Sequence, residues 1–394
     1  MVKSLDRSHV TAYLSALLGM IIAIAIIWYP EAAFDASLYG LKLWFEVVLP
    51  ALLPFFAMCD ILMGLGVVHF MGVLLEPLMR PVFRIPGVGG FAVAMGLASG
   101  YPIGARITGR LRRENLCDQV EGERLVSFAN TADPLFMMGA VAVGMFGMPQ
   151  LGVTIVIAHY ASVVLVGFLM RYHGQDSHSA EMPTRRENIF RRALRELYRH
   201  RQADGRPFGQ LFGDSVKDSF AAMLFIGGCI MMFSVLLRVF TLSGITAILS
   251  RSLEVIIASV GLAPSTTEAL VNGLFEITIG TEAASRISAP LIQRAVVASA
   301  VIGWSGMSVH TQVASMLHGT DIRMTPYIIA RFLHGVFAGI ITYLLLGPAQ
   351  PVVQLATPVL AHALIVDGQM DFAARFLASA GLFLRVLGSL LLVG

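Results

Sequence analysis

The chain has 394 residues, of which 56% are hydrophobic and 13% charged, and its mean hydropathy is +0.74. Soluble domains carry about 25% charged residues, so most of this chain is expected to lie in a lipid bilayer, and a soluble multidomain enzyme is excluded. The net charge of +3 comes without a long basic or acidic tail, so no nucleic-acid partner is indicated. Cys59, Cys117 and Cys229 lack CxxC spacing and are predicted to be packing residues rather than part of a disulfide framework or a zinc site.

The N-terminal segment is predicted to be a membrane anchor with a cytoplasmic N-terminus. The twenty residues 10–29 contain no charged side chain and follow Lys3 and Arg7. A spanning helix needs about 20 apolar residues, and basic residues before the first span favour the cytoplasmic side. A cleaved signal peptide is the alternative, but its apolar core usually has about 7 to 15 residues.

The next stretch predicts a second span, a surface segment and a hairpin. Residues 43–70 are apolar enough to cross the bilayer, whereas residues 71–85 are too short and too charged and are expected at the interface. Residues 85–105 contain no charge but six glycines, with Ser99-Gly100-Tyr101-Pro102 in the middle. We predict two half-length helices that enter the membrane and return, with this tetrapeptide at the tip.

A single glycine-rich spanning helix is the alternative for residues 85–105. Such a helix would place residues 106–113 outside, and by parity also residues 171–206, which hold nine arginines against five acids. The positive-inside bias opposes both placements. The re-entrant hairpin is therefore favoured, with both arginine-rich segments in the cytoplasm.

The rest of the chain is interpreted as spans joined by connectors. A basic loop at residues 173–213, with a helical piece at 185–201, separates two halves. The further predicted spans are residues 123–146, 151–170, 216–240, 295–320 and 327–346, with an amphipathic piece at 242–262 and a second glycine-interrupted segment at 264–294. Residues 372–393 are apolar but include Arg375 and Arg385, so whether they span the membrane stays open.

An internal repeat relates the two halves. A shift of 180 residues aligns residues 100–139 with 280–319 without a gap, and six positions are identical: Gly100/Gly280, Arg106/Arg286, Ile107/Ile287, Leu111/Leu291, Thr131/Thr311 and Gly139/Gly319. Each half has the order span, interfacial piece, broken hairpin, polar-centred span, span, and the parity of crossings gives the halves opposite orientations. Inverted repeats with discontinuous helices are typical of secondary transporters, whose sites lie near the midplane.

We therefore predict an all-α polytopic membrane protein built from inverted repeats with two re-entrant helical hairpins. Its predicted parts are an N-terminal transmembrane anchor at 1–39, a first repeat at 40–172, a basic cytoplasmic loop at 173–215, a second repeat at 216–347 and a C-terminal apolar segment at 348–394.

Polar residues are predicted near the middle of the membrane. Asn130-Thr131-Ala132-Asp133-Pro134 lies about 9 to 15 Å into the span that starts near residue 123, at 1.5 Å per residue. Pro134 has no N–H, so the Asn130 carbonyl loses its helical partner, which is tolerated at this depth only in a protein-lined or wet cavity. Asp133 is expected to be paired, protonated or near a cation; the alternative is interhelical hydrogen bonding around a neutral, buried Asp133. The 180-residue shift places His310 opposite Asn130.

The two hairpin tips and the two mid-span clusters predict one small-molecule site. Half-helix N-termini at the tips offer free N–H groups and the positive end of a helix dipole, which suits an anion. Arg106 and Arg286 are predicted to clamp carboxylates, with extension to the interface as the alternative. The candidate substrate-binding residues are Ser99, Gly100, Tyr101, Arg106, Asn130, Thr131, Asp133, Glu276, Thr278, Gly280, Arg286, Ser308, His310, Thr311 and Gln312.

Enzyme function finds no support in the motifs. The chain contains no HExxH, no GxSxG, no P-loop and no GxGxxG after a strand. No catalytic residue, metal ligand or cofactor is predicted, and coupling to Na⁺ or H⁺ stays open.

Several strings carry a family resemblance. They are MGLASGYPIGARI at 95–107, ERLVSFANTADPLFMMGAVAVGMFG at 123–147, GLFEITIG at 273–280, GMSVHTQVASML at 306–317 and DIRMTPYIIAR at 321–331. Through them the chain resembles the YlbJ family of sporulation integral membrane proteins, within the nucleoside-recognition or Gate group, from about residue 40 to 347. The resemblance implies a fold similar to concentrative nucleoside transporters and import of dipicolinate into the developing spore across the outer forespore membrane.

Two other functions stay open. The name of the larger group suggests a nucleoside-type solute as the substrate. A non-transporting assembly factor of the spore envelope would use the basic loop to recruit partners. A scaffold has no need for broken, polar-centred helices, so transport of a small anion is favoured; the lipid bilayer is the expected environment, and self-association is a further possibility.

Overall fold

The computed structural model describes residues 7–174 and 188–347, and within these ranges the chain forms helices and no strand. The predicted C-terminal apolar segment at 348–394, with its undecided piece at 372–393, lies outside the described residues. So does part of the predicted basic loop, at residues 175–187.

The first half contains eight α-helices and three π-helical stretches. The α-helices are α1 (Arg7–Trp28), α2 (Pro30–Leu43), α3 (Leu49–Gly64), α4 (Val67–Leu78), α5 (Gly89–Ser99), α6 (Ile103–Arg113), α7 (Gln119–Ala129) and α8 (Pro149–Met170). The π-helical stretches are Trp44–Val48, Met79–Phe83 and Phe136–Met145.

The second half continues with eight α-helices. They are α9 (Ile189–Asp204), α10 (Phe208–Leu242), α11 (Ile245–Ser259), α12 (Thr266–Phe275), α13 (Ile277–Arg286), α14 (Leu291–Trp304), α15 (Gly306–Leu317) and α16 (Met324–Leu346).

Four helices in the described part of the chain are long and apolar enough to cross a membrane. They are Pro30–Gly64, α8, α10 and α16. The first begins well before residue 43, where we predicted it, because Pro30 opens α2 and the helix continues without a gap into α3. It ends before the predicted residue 70 because Gly66, at a φ of 80°, takes a left-handed conformation that starts α4 anew. The predicted boundary at residue 39 therefore falls inside α2.

Both predicted hairpins are pairs of short helices separated by a break. Between α5 and α6 the break is at Gly100, which has a φ of 67°. Between α12 and α13 it is Glu276, in extended conformation. A Cβ added at Gly96 or Gly104 would clash with the Ala129 carbonyl oxygen, so the glycines allow the first hairpin to pack directly against the end of α7.

The helix that follows each hairpin is also broken. After α7, residues 130–133 leave the helix before it resumes at Pro134, as the proline suggested. The predicted continuous span at 295–320 is wrong, because α14 ends at Trp304 and α15 starts anew at Gly306. Ser305 and Gly306 take left-handed conformations, with φ of 72° and 79°, and an α-helix cannot continue through two such residues.

The two halves repeat one another at a shift close to 175 residues rather than 180. Helices α7 and α14 end at Ala129 and Trp304, and α8 and α16 begin at Pro149 and Met324. The 180-residue alignment was chosen by residue identity. The helix breaks that correspond in the structure have different residues in the two halves, so identity gave the wrong register. Asn130 therefore corresponds to Ser305 and not to His310.

Two histidines lie between the halves at equivalent positions. His159 on α8 and His334 on α16 are 175 residues apart, and their ring centroids are 4.4 Å from each other. Equivalent residues of two related halves touch only near the axis that relates them, so this axis runs between α8 and α16.

Candidate substrate site between the broken helices

A small, half-open cavity of about 60 Å³ lies where the broken helices meet. Tyr101 lines it from the first hairpin tip, and Glu276 and Thr278 line it from the second. Asp133 contributes from the break after α7, and Gln312 from α15. Its other walls are Ala132 and apolar or weakly polar side chains of the surrounding helices: Val48, Leu52, Phe56, Phe136, Ile226, Cys229, Ile277 and Val309.

Asp133 joins the first hairpin tip to the break after α7. Its Oδ1 accepts hydrogen bonds from the backbone N–H groups of Leu135 (3.0 Å) and Phe136 (2.9 Å), so it caps the helix that resumes there. Its Oδ2 faces the tip, since a Cβ on Gly100 would lie 2.5 Å from that oxygen. Asp133 is 5% exposed.

Glu276 has the corresponding role in the second half. Its Oε2 accepts from the Ile279 N–H at 2.8 Å and caps α13, and the Ser308 hydroxyl lies 3.5 Å from Oε1. The tip backbone packs on the second break, because a Cβ on Gly306 would lie 3.0 Å from the Phe275 carbonyl oxygen. The N-terminus of α13, which we expected to hold a substrate anion, is thus occupied by a carboxylate of the protein itself.

The break after α7 is supported from behind by α8. The Thr131 hydroxyl lies 2.7 Å from His159 Nε2, and the Tyr160 hydroxyl donates to the Ala132 carbonyl at 3.0 Å. Backbone groups outside a helix need such partners when they are buried. Thr131 therefore faces α8 and not the cavity.

Asn130 and His310, predicted as equivalent ligands, both contact Tyr327 of α16. The Asn130 amide donates to the Tyr327 hydroxyl at 3.0 Å. The His310 ring packs edge-on against the Tyr327 ring at 5.4 Å and against the Trp304 ring at 4.4 Å. All three polar residues of this group are buried, one layer behind the cavity wall.

Arg331 is a buried cation that our sequence analysis did not identify. It is 0% exposed, and its guanidinium donates to the Asn130 carbonyl (3.1 Å), the Ile302 carbonyl (3.3 Å) and the Tyr101 hydroxyl. A signal for it exists in the sequence, because Arg331 is the only charged residue in the predicted span at 327–346. An ionisable residue inside a spanning segment is by default a candidate functional residue.

The two arginines of the predicted clamp lie outside the central cavity. Arg106 is exposed on α6. Arg286 is paired with Glu282 and lines a separate, more open cavity of about 570 Å³. Tyr39 of α2 also hydrogen-bonds to Glu282 there. Both arginines lie on hairpin helices, α6 and α13, but neither lines the central cavity.

The predicted site residues fall into three groups. Tyr101, Asp133, Glu276, Thr278 and Gln312 line the central cavity. Ser99, Gly100, Asn130, Thr131, Gly280, Ser308 and His310 are buried in the packing around it. Arg106, Arg286 and Thr311 are exposed, and Thr311 hydrogen-bonds back to its own helix at the Met307 carbonyl.

Two helical hairpins and two broken helices around a small cavity with carboxylates in its wall are the arrangement typical of secondary transporters. Comparisons with known proteins give the family. The nucleoside-recognition (Gate) family matches residues 45–171. The sporulation integral membrane protein YlbJ of Bacillus subtilis (strain 168) is 43% identical over 346 residues, which cover 87% of this chain and 85% of that protein.

A solved structure of CNTnw, in an inward-facing substrate-bound state, has a TM-score of 0.52 to this chain. The likeness covers 87% of this chain and 88% of that one at 12% identity, and it shows the fold alone. The predicted all-α membrane-transporter fold is confirmed. The chain belongs to the YlbJ family of sporulation integral membrane proteins, and it is a multi-pass membrane protein.

Proposed function

We propose that this protein moves dipicolinate across the outer forespore membrane by alternating access. The observation that carries the proposal is the small cavity between the two hairpin tips and the break after α7, which two buried carboxylates, Asp133 and Glu276, line. Broken helices place unpaired backbone groups and polar side chains at a depth where a lipid-facing protein could not tolerate them. The family's link to sporulation supports dipicolinate as the substrate.

Transport requires the cavity to widen. Its volume of about 60 Å³ is small beside the roughly 300 to 1,000 Å³ of common small-molecule sites. The elements in a position to open it are the hairpin tips, since Tyr101, Glu276 and Thr278 line it and each tip ends two short helices. Movement of one tip at a time would expose the cavity to one side of the membrane and then to the other.

The charge of the cavity restricts how a dianion enters. Asp133 and Glu276 are both buried and both line it, and no lysine or arginine lines it among the residues that the structure describes. Bringing two further carboxylates beside them in a low-dielectric site is unfavourable without cations. We therefore propose that H⁺ or Na⁺ enters with dipicolinate, and that protonated carboxyls would donate hydrogen bonds to the substrate.

A nucleoside-type solute is the second candidate. A neutral, hydrogen-bonding solute suits a site made of two carboxylates, two hydroxyls and an amide without the need for extra cations. The description of the matching family, nucleoside recognition, points in the same direction. This alternative shares the cavity and differs only in the substrate.

One uptake experiment separates the candidates. Purified protein in sealed vesicles would be supplied with labelled dipicolinate or uridine, under an imposed proton gradient, an imposed sodium gradient, or neither. We expect gradient-driven dipicolinate uptake. Uptake of uridine alone would overturn the substrate, and no uptake of either would favour a non-transporting assembly role.

A further inference from the structure

Arg331 occupies the junction of three broken elements. Its guanidinium contacts the first hairpin tip through Tyr101, the end of α7 through the Asn130 carbonyl, and the end of α14 through the Ile302 carbonyl. It forms no ion pair with a carboxylate anywhere in residues 7–174 and 188–347. A buried cation normally has such a partner, because desolvation of an unpaired charge is costly.

The ends of α7 and α14 explain part of this arrangement. Helix C-termini carry a partial negative charge and unpaired carbonyls, and two of them stabilise one guanidinium. The compensation is incomplete, because Arg331 Nε is buried and has no hydrogen-bond partner. An arginine side chain has five N–H donors, and the Nε–H of Arg331 therefore remains without an acceptor.

Tyr101 contacts both Arg331 and the cavity. Its hydroxyl accepts from Arg331 Nη2, and the same residue lines the cavity. The Nε and Nη2 atoms form one edge of a guanidinium, the edge that binds a carboxylate through two parallel hydrogen bonds. On this edge Nε is unpartnered, and Nη2 is held by the Tyr101 hydroxyl and the Ile302 carbonyl. Movement of the first hairpin tip would remove the tyrosine and present the edge to the cavity.

We infer that Arg331 is the carboxylate-binding residue of the transport site, and that Tyr101 covers it until the substrate enters. This inference rests on the proposed function and adds what the cavity lining lacks, a cation for an anionic substrate. The ligand class is a planar carboxylate. Arg331 replaces Arg106 and Arg286 as the residue that meets the substrate.

The test compares two ligands of the same shape, dianionic dipicolinate and its neutral diamide, pyridine-2,6-dicarboxamide. Equilibrium binding would be measured on purified protein in lipid nanodiscs for the wild type, Arg331→Gln, Arg331→Lys and Tyr101→Phe, with Arg106→Gln as the control. We expect Arg331→Gln to weaken dipicolinate binding by about tenfold or more while changing diamide binding far less. Arg331→Lys should fall between, because it keeps the charge and loses the two-pronged geometry.

Tyr101→Phe gives an independent readout. It removes the hydroxyl that competes for Nη2, so dipicolinate binding should stay equal or tighten. If Arg331→Gln fails to fold, dipicolinate and diamide binding would be compared in Arg331→Lys and Tyr101→Phe instead.

An equal loss for both ligands in Arg331→Gln or Arg331→Lys would overturn the inference, since a purely structural arginine does not distinguish charge. The proposed function would then still stand, provided that the wild type binds dipicolinate. A wild type that binds uridine and not dipicolinate would overturn both.

Discussion

Asp133 and Glu276 each cap a resumed half-helix and at the same time line the central cavity. A carboxylate at a helix N-terminus is favoured by the dipole and by the free N–H groups. This local stabilisation lets two acids remain buried, and it also means that each acid couples helix geometry to whatever binds beside it. A change in the charge of either residue should therefore alter substrate preference.

Replacement of Glu276 by Gln is expected to discriminate between the two candidate substrates. The amide oxygen can still accept from the Ile279 N–H, so the cap is kept while the negative charge is lost. Dipicolinate uptake should be maintained or rise, and uridine uptake should fall if uridine is carried. The matched control is Glu268→Gln, an exposed acid that lines the larger cavity. A strong loss of dipicolinate uptake in Glu276→Gln alone would contradict this assignment.

Asn130→Ala and His310→Ala should both lower uptake, but for different reasons. Asn130 acts through a hydrogen bond to the Tyr327 hydroxyl, and loss of a buried partner costs about 1 to 3 kcal/mol. His310 packs against the Tyr327 ring. In a Tyr327→Phe background, thermal unfolding should therefore show little further effect of Asn130→Ala and a full effect of His310→Ala. If Asn130→Ala lowers the melting temperature as much in the Tyr327→Phe background as in the wild type, Asn130 acts through a partner other than the Tyr327 hydroxyl.

At the scale of elements, the first hairpin depends on close approach to the end of α7. Gly96→Ala would drive a methyl group into the Ala129 carbonyl, and overpacking of this kind costs about 1 to 3 kcal/mol. The control is Gly228→Ala in α10, which has open space at that position and should gain about 0.5 to 1 kcal/mol from better helix propensity. Melting temperatures of the purified variants check both directions. An unchanged melting temperature for Gly96→Ala would contradict the close packing of the first hairpin against the end of α7.

The elements were predictable where the signal is local. Glycine density in an uncharged run indicated the first hairpin, its counterpart in the internal repeat indicated the second, and Pro134 indicated the break after α7. The break at Ser305 was missed, because neither Ser305 nor Gly306 interrupts an apolar run and the left-handed turn is imposed by the packing of Glu276 against it. The position of Arg331 in the site was also missed, since its partners come from three segments far apart in the chain.

At the scale of the whole molecule, ion pairs join the two halves at one surface. The Arg112 guanidinium binds the Asp321 carboxylate at 2.7 Å, and Arg323 binds Glu123 at 2.6 Å. The hydrogen bond from Arg112 lowers the pKa of Asp321 below its ordinary value, so this pair is charged at neutral pH. The exposed Arg112–Asp321 pair contributes about 0 to 1 kcal/mol, whereas Glu123 is buried and is held by both Arg323 and His173.

The opposite orientation of the halves is tested by labelling. In a protein without its native cysteines, Ala180→Cys should react only with reagent on the cytoplasmic side, and Ser265→Cys only with reagent outside. The reason is that the two hairpins are expected to enter from opposite faces. Labelling of both positions from the same side would exclude inverted repeats.

The measurement that most directly tests the central cavity as the transport site uses a native cysteine. Cys229 lines this cavity, and it would be kept in a protein carrying Cys59→Ala and Cys117→Ala that still takes up substrate. A membrane-permeant thiol reagent should modify Cys229 during turnover and stop uptake, and saturating dipicolinate should slow the modification. Two results would contradict transport through this cavity. One is modification of Cys229 at the same rate with and without dipicolinate, and the other is no modification of Cys229 while the vesicles accumulate dipicolinate.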